Sequence, residues 1–329
     1  MPSGGEHLGG TPFMMQGFGD INYIAKAPDG ERTGFRDGAF DLFATSRLGD
    51  HWSALAELVF ETDGNNLATD LERFQFTYEH SDAFRLSVGR MHTTLLRWPV
   101  TNHHGLFTQT PVDRPIIARW EDAPGLWPNH FVGILAQGRL HNAAGVRYAA
   151  GVGNGRGPAV DEVQVGSDAN DQRAVVVSAG ISPDAAPGLE VDVSGYFDRI
   201  PAVASLDERD YAVSTAYVRG GAEVRAEWSR MTHAPVDAAV TYTTTGWYVL
   251  AAHRLSRDFA RVKPYVLIEQ LDVARDETYF GGVPNERAWA IGVRWDINQF
   301  AALKADYRSR KLEAVERSGA VRAQLAVGF

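Results

Sequence analysis

Residues 189–198 read LEVDVSGYFD: Leu189, Val191, Val193, Gly195 and Phe197 alternate with Glu190, Asp192, Ser194, Tyr196 and Asp198. Successive side chains take opposite faces only in an extended strand, so this stretch has one apolar and one polar face. A helix would spread the carboxylates around its circumference, and a strand buried on both faces would strand them away from water. The same pattern recurs outward in both directions. Trp52, Ala54, Ala56, Leu58 and Phe60 alternate with Ser53, Leu55, Glu57, Val59 and Glu61. Val224, Ala226 and Trp228 alternate with Glu223, Arg225 and Glu227, and Leu303, Ala305 and Tyr307 with Lys304, Asp306 and Arg308. At the end of the chain Val321, Ala323, Leu325, Val327 and Phe329 alternate with Arg322, Gln324, Ala326 and Gly328.

Followed through the chain, period two predicts an all-β protein of about sixteen strands. The spans are 14–24, 37–48, 52–62, 71–79, 84–93, 130–140, 144–153, 172–181, 189–198, 209–218, 221–231, 242–254, 260–271, 286–297, 301–310 and 319–329. The facing of 172–181, 209–218 and 242–254 is ambiguous. Short connections (49–51, 80–83, 141–143, 182–188, 219–220, 256–259, 298–300) alternate with long ones (25–36, 63–70, 94–129, 154–171, 199–208, 232–241, 272–285, 311–318). That asymmetry, with both ends of the sheet on the short-turn side, is the signature of a transmembrane antiparallel up-and-down β-barrel with short periplasmic turns and longer outside loops.

Composition is consistent with this reading. The 329 residues are 44% hydrophobic and 22% charged, with 8 Trp, 11 Tyr and 16 Phe. No run of eighteen apolar residues occurs, so no transmembrane helix is available; a mean hydropathy of -0.23 suits strands that are apolar on one face only. The chain has no cysteine, which removes disulfides and thiolate metal sites. A net charge of -9 without a basic stripe argues against a nucleic-acid partner. Met1–Gly10 lacks a basic start and an apolar core, so Met1 is expected to begin a mature chain whose leader has been removed. A soluble β-sandwich also alternates, but its strands average about 5–6 residues. Here Trp52, Phe60, Phe74, Tyr78, Trp228, Tyr307 and Phe329 are placed toward strand ends, the girdle expected at lipid–water interfaces.

In hydrocarbon every backbone N–H and C=O must be paired, and a sheet achieves this only by closing on itself. The first strand, with Gly17, Gly19, Ile21 and Tyr23 outward, is expected to pair with the last. A barrel of about sixteen strands is wide enough for an aqueous channel. The inward series is read as the lining of a wet lumen: Arg47, Arg73, Arg85, Arg139, Arg147, Arg225, Lys263, Arg294, Lys304, Arg308 and Arg322 against Asp41, Glu57, Glu61, Glu190, Asp192, Glu223, Glu227, Glu269, Asp296 and Asp306.

Several segments resemble bacterial outer-membrane porins, loosely those selective for phosphate: GFGDINY (17–23), FDLFATSRLGDHWSALAELVFE (40–61), DLERFQFTY (70–78), VGRMHT (88–93), NHHGLFTQT (102–110) and RPIIARWEDAPGLWP (114–128). The closing strand ends in Phe329, resembling the terminal strand that the barrel-assembly machinery reads. The chain is too poor in lysine for a phosphate ladder. The resemblance implies that the third outside loop, 94–129, folds into the barrel and narrows it. It also implies a trimer, and strands 1–3, with small outward residues (Gly17, Gly19, Ala44, Ala54, Ala56), offer a contact face.

Residues 1–13 are read as a periplasmic segment and 14–329 as one barrel domain. The long loop is rich in Trp98, Phe107, Trp120, Trp127 and proline, so it is expected to be ordered. Asp113, Arg114, Arg119, Glu121 and Asp122 are predicted to face the lumen or to anchor the loop to the wall, where rings of opposite charge tune ion preference. His92, His103, His104 and His130 cluster around it, but adjacent His103 and His104 on extended chain point apart, which argues against a metal site. GVGNGRG (151–157) ends a strand rather than opening a helix, so it is read as a flexible outside loop. Ser229, His233 and Asp237 are the strongest hydrolytic candidates, without an orienting motif. The expectation is a non-enzymatic, cofactor-free porin in the bacterial outer membrane. It would contact outer-membrane lipid and pass small hydrophilic solutes or ions by passive diffusion. The rivals are a barrel hydrolase and a plugged structural or partner-binding barrel.

Overall fold

The computed structural model describes residues 12–27, 33–63, 66–102, 105–119, 125–160, 163–202 and 204–329. Among them sixteen strands form one closed antiparallel sheet: β1 (Phe13–Lys26), β2 (Gly34–Leu48), β3 (Trp52–Asp63), β4 (Asn66–Ser81), β5 (Phe84–His92), β6 (His130–Arg139), β7 (Arg147–Asn154), β8 (Ala174–Ile181), β9 (Leu189–Ile200), β10 (Leu206–Arg219), β11 (Ala222–Pro235), β12 (Tyr242–His253), β13 (Val262–Asp272), β14 (Glu286–Asp296), β15 (Ala301–Leu312) and β16 (Ser318–Gly328). Each pairs with the next, and β1 pairs with β16 from Phe18↔Gly328 to Lys26↔Val321. The ring closes at its lower rim through Gly17 and Phe329, whose amides donate to each other's carbonyls at 2.8 and 2.9 Å. All sixteen predicted strands are present, and of the predicted N-terminal segment only its last two residues lie among those described.

Alternation sorts the faces. On β10, Glu208, Asp210, Ala212, Ser214 and Ala216 are buried inside, while Tyr211, Val213 and Tyr217 are exposed outside. On β8, Ala174 and Val176 face in and Val175, Val177 and Ile181 out; on β12, Tyr248, Leu250 and Ala252 face in and Val249 out. Those are the three strands whose facing the pattern left open. The exterior carries an exposed apolar band of Val, Ile and Leu, such as Ile21, Leu58, Val88, Ile134, Val193, Ile268, Ile291, Leu303 and Leu325.

Two expectations need correction. The segment 63–70 is strand, not a long loop: β3 and β4 continue to a connection of residues 64–65, and Asp63 pairs with Asn66. Phe74, Trp228 and Tyr307 lie near the middles of β4, β11 and β15, not toward their ends. The cause is shared. Strands rising beyond the apolar band gain ladder hydrogen bonds without needing an apolar outer face, so the girdle falls at mid-strand. The alternation of loop length therefore rests mainly on residues 93–129, 155–173 and 273–285.

One bulge positions the interior. Glu57 pairs with Arg73 but Leu58 with Leu71, leaving Glu72 as the extra residue. A bulge turns two consecutive side chains to one side. Arg73 bonds Glu57 while Glu72 lies 3.8 Å from Arg90 and 3.1 Å from His130.

Candidate functional site: a loop docked inside the barrel

The long connection leaves β5 and returns to β6 beside the His92↔His130 pair. Its neck is pinched by Thr93, whose amide donates to Asn129 O at 2.6 Å and whose hydroxyl donates to Pro128 O at 2.7 Å. Beyond the neck it carries a short helix α1 (Arg97–Asn102) and a single 3-10 turn at Ile116–Ala118.

The loop docks because one of its faces is apolar. Leu95, Trp98, Ile116, Ile117, Leu126 and Trp127 are buried together with inward residues of the wall, among them Tyr196, Ala212, Met231, Tyr248, Leu250 and Leu267. Trp98 meets Tyr248 edge-on at 5.6 Å and 84°. The wall makes room at Gly246, where a Cβ would lie 2.3 Å from Ile117 Cγ2 and 2.7 Å from Trp127 Cη2.

An irregular segment inside a barrel carries backbone groups that must find partners. The wall supplies them. Glu227 accepts four hydrogen bonds: from the amides of Arg97 (2.6 Å) and Trp98 (2.8 Å) at the start of α1, from Ser214 (2.6 Å) and from Tyr248 (2.7 Å). Glu269 accepts from the Ile116 amide at 2.6 Å and is bonded by Arg308. The Val112 amide donates to Tyr265 (3.1 Å), which donates to Asp306 (2.9 Å). Arg294 donates to the carbonyls of Phe107 and Gln109, and Lys304 to those of Leu106 and Pro111. Thr110 donates to Glu223, which also holds Lys263 and Arg225.

This corrects the expected wet lumen on one side of the barrel. Glu223, Glu227, Glu269, Arg294, Lys304, Asp306 and Arg308 face inward as predicted, but they are buried against the loop. On the inner face of β1–β5, Asn22, Phe43, Thr45, Leu55, Gln75, Thr77 and Arg85 keep partial exposure, while Asp41, Glu57, Val59, Glu72 and Ser87 are buried. The loop thus packs against much of the β11–β15 wall and leaves part of the β1–β5 inner face accessible.

Asp113 stands at the boundary. It lies 3.2 Å from Arg322, 3.8 Å from Arg308 and 3.9 Å from Arg119. Burial works to raise its pKa, but Arg119, Arg322 and Arg308 outweigh this and hold it below the usual carboxylate range. Arg114 is half-buried beside it, its amide bonded to Asp113 at 2.9 Å, and Arg119 also reaches Glu286 at 3.5 Å. The predicted trio Asp113, Arg114 and Arg119 is therefore brought together and joined by Arg308 and Arg322. Glu121, Asp122, Trp120, His103 and His104 lie outside the described residues. Arg73 and Glu57 pair with each other between β4 and β3. Arg47 is exposed at the rim and bonds Asp50 O at 2.9 Å, away from this ring. Arg85, Arg139 and Arg147 lie inward at the short-turn end, Arg147 paired with Asp192 at 2.9 Å.

A second polar cluster was not foreseen. Arg156, within the glycine-rich segment read as a flexible outside loop, is buried. Its amide bonds Asp198 (2.7 Å), and its guanidinium bonds Leu126 O (2.7 Å) and Glu208 (3.1 Å) and lies 5.2 Å over the Tyr279 ring. That segment is largely strand β7, whose glycines leave space for Phe131. Arg156 thereby clamps loops 155–173 and 273–285 to the end of the docked loop. Beside it His233 bridges Glu208 (2.7 Å) and Glu277 (2.9 Å), while Ser229 donates to Tyr211 O at 3.2 Å. Both ring nitrogens of His233 are thus engaged by carboxylates, away from Ser229.

No family model and no curated protein matches the sequence. Solved structures match the fold. The anion-selective porin from Comamonas acidovorans is 13% identical, with TM-score 0.66, over 97% of this chain and 100% of that one. The outer membrane channel DcaP of Acinetobacter baumannii is 12% identical, with TM-score 0.67, over 97% of each chain. The trimer form of OmpT, an outer membrane protein of Vibrio cholerae, is 11% identical, with TM-score 0.65, over 97% of this chain and 99% of that one. At these identities the likeness is one of fold, and this chain has the porin-type sixteen-stranded barrel.

Proposed function

We propose that this protein is an outer-membrane porin, a non-enzymatic channel through which small hydrophilic solutes or ions diffuse. The observation that carries the reading is the division of the interior. The loop is held on the β9–β16 wall by buried carboxylates and cations, and Asn22, Thr45, Gln75, Thr77 and Arg85 on the inner face of β1–β5 stay partly exposed beside it. The proposed constriction comprises Asp113, Arg114 and Arg119 with Arg308 and Arg322. Fixed charges of both signs across a narrow passage select by size and field, with no chemical step.

The exposed apolar band supports insertion in a bilayer, because so continuous an apolar exterior is unstable in water. By analogy with barrels of this type, the short-turn end, where β1 begins and β16 ends, faces the periplasm. Phe329, exposed and stacked on Phe40 at 6.4 Å, is the residue that the assembly machinery reads. A homotrimer is proposed through the small outward residues of β1–β3. Swelling of proteoliposomes in isotonic sugar solutions tests the channel: small sugars enter quickly, larger ones progressively more slowly. Vesicles that swell no faster than protein-free controls count against it.

A further inference from the structure

The outer face of the barrel repeats one pairing at its long-loop end. On four strands an arginine takes the next outward position beyond an aromatic residue. Arg199 follows Phe197 on β9, Arg209 lies beyond Tyr211 on β10, Arg230 beyond Trp228 on β11 and Arg287 beyond Trp289 on β14. Lys311 extends the arc on β15, beyond Tyr307, whose ring lies 5.5 Å from that of Trp289. Two residues along a strand rise by about 7 Å, so these cations stand just above the aromatic girdle, at headgroup height.

The register of the arc is electrostatically costly. Arg287 stands directly opposite Lys311, and Arg209 opposite Thr232, two residues from Arg230. Like charges directly opposite destabilise a strand pair, and diagonal neighbours lie within about 7–8 Å. Arg209, Arg230, Arg287 and Lys311 are exposed, and among the described residues they form no ion pair. The carboxylates of this rim are engaged elsewhere: Asp207 holds Arg199 at 2.7 Å, and Asp272 accepts from Gln270. A chain of net charge -9 thus gathers cations at one height on one wall. At the same end, the outward residues of β2–β4 among those described include Phe35, Asp37, Thr62, Leu67 and Thr69, with no cation. In water such an arc is merely solvated. Above a bilayer it meets lipid phosphates, which arginine grips in bidentate fashion. The cations are spread along β9–β15 on the lipid-facing surface and do not converge on a pocket, which suits a lipid surface and not a soluble anion.

We propose that the outer rim of β9–β15 binds the phosphate groups of anionic lipids in the outside leaflet. One wall of the barrel then carries a shell of anionic lipid, while the wall of β1–β3 stays free for the partner copy. The inference rests on the bilayer setting of the barrel and not on conduction.

The purified barrel is placed in phosphatidylcholine vesicles containing either brominated phosphatidylglycerol or brominated phosphatidylcholine. Bromine quenches tryptophan on contact, and Trp228, Trp289 and Trp247, which pairs with Trp228, adjoin the arc. The anionic lipid is expected to be preferred over the neutral one by at least about fivefold, the factor that one cation near an anionic surface supplies. Raised salt is expected to weaken the preference. Arg209→Gln with Arg230→Gln and Arg287→Gln is expected to remove most of it, and the matching Lys replacements to keep most of it. Unheated gel mobility shows that each variant is folded. Equal quenching by both lipids, or an unchanged preference in the Gln variant, overturns the proposal. Inorganic phosphate is expected to compete no better than chloride at equal ionic strength; displacement by phosphate alone overturns the assignment to lipid. A barrel that conducts without preferring the anionic lipid contradicts this inference alone. One that prefers it but never conducts contradicts the channel and keeps the lipid arc.

Discussion

At the scale of single residues, the proposed constriction depends on side chains whose surroundings fix their charge. Asp113 has a depressed pKa because three arginines outweigh its burial. A depressed carboxylate contributes stability above its unfolded pKa of about 3.9 and loses it only as pH falls through the lower folded value. Loop docking is therefore expected to survive acidification through the ordinary carboxylate range, read as unchanged protease resistance of the loop between pH 7 and about pH 4. Asp113→Asn removes one carboxylate shared by Arg119, Arg308 and Arg322. Reversal potentials in a salt gradient should then move toward anions; a move toward cations contradicts the assignment. Glu227→Ala orphans the amides of Arg97 and Trp98 and the hydroxyls of Ser214 and Tyr248. The expected loss is about 1–3 kcal/mol for each buried group left unsatisfied, seen as easier cleavage of the loop while the barrel still migrates as folded on unheated gels. The sequence showed which of these side chains face inward. It did not show that Glu227 meets a helix start 130 residues earlier, because period two reports a face and not what covers it.

At the scale of elements, the loop docks as an apolar slab against a wall shaped for it. Gly246→Val places methyl groups where Ile117 and Trp127 already lie. The loop should shift away from β12 into the accessible side, and unit conductance should fall; an unchanged conductance would mean that the loop does not border the path. The strands themselves were highly legible, since a face against lipid and a face against polar groups leave a clear alternation. The exceptions follow from physics. Residues 63–70 read as loop because strand that rises above the apolar band no longer needs an apolar outer face. Arg156 read as part of a flexible loop because glycine-rich sequence looks mobile. Its glycines instead admit Phe131, and Tyr279 and Glu208 arrive from distant parts of the chain.

At the scale of the whole molecule, closure satisfies the backbone and the loop decides how much of the interior is open. The expectation of an evenly wet lumen failed because inward charge has two possible partners, water and the backbone of a folded-in segment. Sequence pattern does not separate them. Here β11–β15 bond much of the segment and part of the β1–β5 inner face stays accessible, so the account predicts one narrow, off-centre passage per barrel. The measurement that tests this most directly is single-channel recording of the purified protein in a planar lipid bilayer. The account predicts discrete, uniform steps that persist at low voltage. A correctly folded barrel that inserts yet stays electrically silent would show that the loop fills the interior, and would contradict it.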